Sequence, residues 1–199
     1  MQTWLNTFLK FFFLLTPFFV VSMFLAMTGG WDVKARRALA LRVTGAVLLI
    51  CVTLFLFGKY VFEVFGITLD AFRVGAGVLL FLSGLSLTRG EIVQPVNDAG
   101  DIAVVPLAIP VTVGPATTGA LLVMSGELGP MPDRMLAGSA MLTAALVVGV
   151  LLLVAGAMER RLGRTGLAIL SKLTGLILAS MAAQMIFTGI RNLLASGHA

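Results

Sequence analysis

Charge is scarce in this chain. Only 12% of its 199 residues are Asp, Glu, Lys or Arg, about half the share of a soluble domain. That excludes an ordinary water-exposed globule. Cysteine and histidine are scarcer still, with Cys51 and His198 occurring once each. A lone cysteine forms no intrachain disulfide, and one Cys with one His beside the C-terminus cannot supply a Cys/His metal site. Cys51 stands in the apolar run LLICVTLF, where a small buried hydrophobe is the expected role. No Walker loop is present, so ATP-driven transport within this chain is excluded. Neither a Ser-His-Asp set nor paired membrane carboxylates appear, so the chain is read as no enzyme. No cofactor is expected, and the identity of any coupling ion is left open.

What is present is apolar. Hydrophobic residues make up 59% of the chain and the mean hydropathy is +1.05, the composition of an integral membrane protein. The 22 glycines and 10 methionines suit close helix packing in lipid. The net charge of +5 reads as loop charge that sets orientation rather than as a nucleic-acid footprint. The lipid bilayer is the expected partner, with no nucleic acid.

A spanning helix needs about 20 mostly apolar residues. Six stretches qualify, at about 8–27, 38–57, 69–87, 105–126, 135–157 and 167–194. The run after Lys10 outlasts a signal-peptide core of about 7–15 residues and no A-x-A site follows, so it is read as a span that stays. Loops are expected at Lys59 and Glu63, across 88–101, and at Pro130, Pro132, Asp133 and Arg134. Two basic clusters stand out: Lys34, Arg36 and Arg37, then Arg160, Arg161 and Arg164 beside Glu159. No length is left for a separate soluble domain, so 1–199 forms a single membrane domain.

Loop charge fixes the expected orientation. With the N-terminus inside, the inner face collects Lys10, Lys59, Arg73, Arg134 and Arg191. With it outside, the inner face collects Lys34, Arg36, Arg37, Arg42, Arg89, Arg160, Arg161, Arg164 and Lys172. The second set is larger, so the positive-inside rule puts both termini outside.

The fourth stretch, VPLAIPVTVGPATTGALLVMSG at 105–126, carries Pro106, Pro110 and Pro115. A proline in a helix removes a donor and clashes with the carbonyl four residues back. In lipid the freed backbone groups must be satisfied inside the protein, so broken helices are tolerated where they are buried or line a cavity. Three prolines beside Gly114 and two threonines point to a broken, site-forming helix. A packing kink is the plainer alternative.

The chain also resembles itself. TPFFVVSMFLAMTGG (16–30) matches GPATTGALLVMSGEL (114–128), with Pro17 opposite Pro115. FGITLDAFRVGAGVLLFLSG (65–84) matches LGRTGLAILSKLTGLILASMA (162–182) at nearly the same offset. Repeat one is about 1–95 and repeat two about 96–199. Each holds three spans, an odd number, so the halves insert in opposite directions. Inverted repeats with a proline-interrupted helix in each half point to a transport site near the membrane midplane. The half-helices after Pro17 and Pro115 present free N–H groups and partial positive charge, which suits a carboxylate. The candidate substrate-binding residues are Thr16, Pro17, Ser22, Pro110, Thr112, Gly114, Pro115, Thr117 and Thr118.

On FGITLDAFRVGAGVLLFLSG, VPLAIPVTVGPATTG and LTGLILASMAAQMIFTGI the chain resembles the MarC family of six-span bacterial inner-membrane proteins. The resemblance covers nearly the whole chain. It implies an all-α membrane protein of two inverted three-helix repeats, with proline-interrupted helices one and four. It also implies transport of small neutral amino acids of the glycine and alanine class, and location in a bacterial inner membrane with periplasmic termini. The family pattern has Asn, Gly and Pro where this chain has Thr16, Phe19 and Ser22, and Gly where it has Ala116.

The leading expectation is thus a secondary transporter or exporter of small neutral amino acids, with its site between helices one and four. The alternatives are a non-transporting scaffold that binds a partner, and a transporter of another small solute. Oligomeric state is left open. Elsewhere, Asp70 and Arg73 share a helical face and are expected to pair. Lys172 is expected to snorkel to the inner surface, and Gln184 to bond across helices.

Overall fold

A computed structural model of the protein describes residues 2–90, 112–127 and 131–196. Among them every regular element is a helix: α1 (Gln2–Leu14), α2 (Pro17–Met27), α3 (Val33–Phe65), α4 (Leu69–Arg89), α5 (Pro115–Gly126), α6 (Met131–Leu153) and α7 (Ala155–Ser196). Five stretches are long and apolar enough to cross a membrane, α1 and α2 counting together as one, and α5 is a shorter apolar helix. The chain is an integral, multi-pass membrane protein. Pro106, Pro110 and Asp101 lie outside the described residues.

The helix ends follow from local chemistry. The first span breaks at 15–16, and Pro17 opens α2, where its missing N–H is no loss. Asp32 caps α3 by accepting from the Ala35 N–H at 3.0 Å. That helix runs on past Lys59 and Glu63, where a loop was expected, and stops only at Gly66 (φ 61°). Thr68 caps α4, accepting from the Ala71 N–H at 3.3 Å. Helix α6 starts at Met131, because Pro132 is harmless in a first turn. The charged cluster at 159–164 is helical except at Gly163. Helix α7 takes it in from Ala155 and is interrupted at Gly163 (φ 68°, ψ 171°).

Glycines set the helix crossings. Helices α4 and α7 run antiparallel, with Gly84 against Gly175 and Gly77 against Ala182. A Cβ on Gly84 would stand 2.7 Å from the Gly175 carbonyl oxygen, and one on Gly175 would stand 2.6 Å from that of Gly84. The two backbones therefore touch. In lipid, helices associate through such close contact because the acyl chains already solvate apolar side chains. Helix α3 crosses α6 with Gly149 against Thr44, and α5 meets α4 with Gly119 against Ala76. Helix α1 lies on α6, and α2 on α7. Phe11, Leu14, Phe24, Leu121 and Met141 are fully buried between these pairs, while Leu49, Val64 and Phe187 face outward. Gln184 is also exposed on α7, on the outer face rather than bonded across helices.

Both basic clusters come to one end of the bundle. There Arg36 donates to the Thr28 carbonyl at 2.9 Å and lies beside Gly156, while Lys172 lies beside Gly90. The end of α5 and the beginning of α4 lie at the other end, with Gly126 against Leu69.

Candidate functional site

The breaks in the two halves of the chain meet. Thr117, in the first turn of α5, donates its hydroxyl to the carbonyl of Leu14, the last residue of α1, at 3.3 Å. That carbonyl is among those a helix end leaves without an internal partner. Helix α2 begins three residues further on. Its first turn closes through the Val20 N–H to the Thr16 carbonyl at 3.0 Å, and that of α5 through the Thr118 N–H to the Gly114 carbonyl at 2.8 Å. Among the described residues, the N–H groups of Phe18, Phe19 and Thr117 are not bonded to a carbonyl one turn back. Two helix N-termini, each with partial positive charge, are thus gathered beside one α-helix C-terminus.

Neither N-terminus is capped by a side chain. Gly114 has none, and Thr16 does not use its own. Thr16 stands in the left-handed region at φ 46° and ψ 53°, and no other described non-glycine residue has positive φ. It is 8% exposed, and its Oγ1 is buried without a partner among the described residues. An unpaired buried hydroxyl costs about 1–3 kcal/mol. A β-branched residue in this backbone region is strained as well. Strain and an unmet hydroxyl thus coincide at the break.

The structure brings Thr16, Pro17, Gly114, Pro115 and Thr117 together. Thr112 is buried just before the α5 break. Thr118 contributes its backbone N–H to the α5 turn. Ser22 stands apart, on the second turn of α2, with its hydroxyl turned back to the Phe18 carbonyl at 2.9 Å. Pro110 lies outside the described residues.

Ser22 instead lines a cavity of about 330 Å³ between α2, the end of α4 and α7. Phe19 lines the same cavity, one turn from the α2 break. Most of the wall is apolar, including Met23, Leu87 and Leu167, while Arg164, Glu159 and Lys172 bring charge to it at the basic end. Glu159 accepts from Arg164 Nε at 3.1 Å. Lys172 is exposed at this end.

A charged cluster holds the opposite end. Arg73 pairs with Asp70, as their spacing predicts, and also with Glu127, one residue past α5. Asn192, near the end of α7, donates to Asp70 Oδ1 at 3.0 Å. Arg73 is 6% exposed, so a buried guanidinium ties α4 to the end of α5, and Asp70 extends the cluster to α7. Glu127 and Asn192 carry no signal in the sequence, because their partners lie far away along the chain.

The profile described as MarC family integral membrane protein matches residues 1–194. A UPF0056 membrane protein of Methanocaldococcus jannaschii is 33% identical over 98% of this chain and 98% of its own length. A UPF0056 membrane protein of Pyrococcus abyssi is 31% identical over 96% of each chain, and one of Aquifex aeolicus is 28% identical over 95% of this chain and 92% of its own. No solved structure matches.

Proposed function

We propose, from the premise that the chain belongs to the MarC family of integral membrane proteins, that it is a secondary transporter of small neutral amino acids. The observation that carries this reading is the Thr117–Leu14 contact, which joins the two breaks at 3.3 Å. The substrate carboxylate is held by the first-turn N–H groups of α2 and α5, where dipole and donors favour an anion. The Thr16 hydroxyl, buried without a partner among the described residues, donates to it. The ammonium takes the second lone pair of the Leu14 carbonyl, which Thr117 leaves unused. Phe18 and Phe19 crowd the first turn of α2 and restrict the substrate side chain to glycine or alanine size. Energy comes from an ion gradient.

In this reading the two halves form inverted repeats. The helix contacts support it. Shifting the Gly84–Gly175 contact by the 98 residues that separate Pro17 from Pro115 turns it into a contact between Ala182 and Gly77, and that contact is also present. The larger positive charge at the clustered end supports a cytoplasmic place for it, with both termini outside. In a bacterial cell the membrane is the inner one.

The test is uptake of radiolabelled glycine and alanine by proteoliposomes, with and without sodium and proton gradients. Saturable uptake is expected, and it is expected to be lost in Pro115→Ala with Thr117→Val. No uptake under any gradient, from protein with native helicity and melting, would sink the amino acid reading and leave the scaffold as the better one.

A further inference from the structure

The cavity at the basic end and the ion-pair cluster at the other end occupy equivalent places in the two halves. Shifted by the same 98 residues, Ala168 and Ser171, which line the cavity, correspond to Asp70 and Arg73. Cavity residues Ser22 and Ala26 correspond to Ala120 and Met124 on α5. Gly29, just past α2, corresponds to Glu127, just past α5. One half leaves an open volume of about 330 Å³. In the other half the equivalent place is taken by the Arg73 side chain and its two carboxylate partners, and Ala120 is 1% exposed.

We propose that the Arg73–Glu127 ion pair is the gate at the end opposite the basic clusters, and that the Ser22-lined cavity is the open path on the basic side. The inference rests on the transport reading and names how its site is reached. The structure is then the state open toward the basic end.

The chemistry suits a reversible latch. Arg73 is buried, but Glu127 is 46% exposed at its side chain. When Glu127 leaves, water solvates its carboxylate, while Asp70 stays on Arg73 as counter-ion. No isolated charge is stranded, which is what makes breaking most buried pairs so unfavourable. The pair ties the C-terminal end of α5 to α4. Its N-terminal turn holds the Leu14 carbonyl, so α5 runs from the proposed substrate site to the proposed gate. As a single helix of 12 residues it carries a displacement at one end to the other. Ser125 adds a second tie at the gate end, donating to the Phe55 carbonyl at 2.6 Å.

Thiol accessibility tests the gate without reference to transport. In a Cys51→Ala background, Ser22→Cys and Ala120→Cys are labelled with a membrane-impermeant maleimide in vesicles of each orientation. Ser22→Cys is expected to label from the basic-cluster side only, and Ala120→Cys from neither side. Adding Glu127→Gln is expected to raise Ala120→Cys labelling from the opposite side by about tenfold, the population shift given by weakening one charge-assisted bond. It should lower Ser22→Cys labelling at the same time. Glu127→Lys, which turns attraction into repulsion, should do so more strongly. Ala120→Cys staying protected in both variants, with Ser22→Cys still labelled, would overturn the gate. Labelling that shifts as expected while glycine and alanine uptake is absent would fell the substrate reading and leave the gate standing.

Discussion

The hydroxyl of Thr117 meets the carbonyl of Leu14 at 3.3 Å, 103 positions away along the chain. The contact carries a first-turn side chain of α5 to the carboxyl end of α1. In an apolar surround, a lost bond leaves a bare carbonyl. Thr117→Val keeps the shape and removes the donor, so it is expected to lower stability by about 1 kcal/mol and to abolish saturable uptake. Thr117→Ser keeps the donor and should retain both. Thermal melting in detergent and proteoliposome uptake read the two effects separately. Equal loss in Ser and Val variants would point to the methyl group instead of the hydroxyl.

Thr16 gives the opposite sign. Its backbone at φ 46° disfavours a β-branched residue, and the left-handed region costs most L-residues about 1–2 kcal/mol. Asn tolerates that conformation far better. Thr16→Asn is therefore expected to stabilise the protein by about 1 kcal/mol, raising its melting temperature. Thr16→Val keeps the branching and removes the unpaired buried hydroxyl. It should leave stability equal or slightly higher while weakening substrate binding, read as a raised KM. A normal KM in Thr16→Val would remove the hydroxyl from the site.

Five of the six expected spans were legible because lipid imposes long apolar runs, and the break before Pro17 was legible because proline marks it. Asp70 and Arg73 paired as their three-residue spacing requires. Other features depended on distant partners. Glu127 reaches Arg73 from another helix, and no local pattern announces that. Ser22 shares the hydroxyl chemistry of Thr117, yet its helical phase turns it toward the cavity and its bond goes back to Phe18. At the 159–164 cluster α7 is two helical segments that meet across a kink at Gly163.

The proposed orientation rests on the charges the fold collects. Arg36 lies beside Gly156, and Lys172 beside Gly90, so both basic clusters share an end. Alkaline phosphatase, active only outside the cytoplasm, is expected to be active when fused after Ser196 and inactive when fused after Gly90 in a bacterial host. The reverse pattern would invert the protein and assign the Ser22-lined cavity to the outside.

Two glycines on α4 separate packing from propensity. At Gly84 an added Cβ would lie 2.7 Å from the Gly175 carbonyl oxygen and 2.8 Å from the Ala179 nitrogen. Those are backbone atoms of α7 and cannot rotate aside, so the helices must part. At Gly75 an added Cβ meets nothing within 4 Å. Gly84→Ala is expected to destabilise by about 1–3 kcal/mol, the usual range for overpacking. Gly75→Ala should be neutral or stabilising by about 0.5–1 kcal/mol, because alanine loses less backbone entropy than glycine. The two variants make the same chemical change in the same helix, so the difference between their melting temperatures isolates the crossing. The double variant Gly84→Ala with Gly175→Ala sharpens the test, since both methyls would enter one contact. It should be worse than either single variant, whereas a double variant as stable as wild type would mean that α4 and α7 do not meet through these glycines.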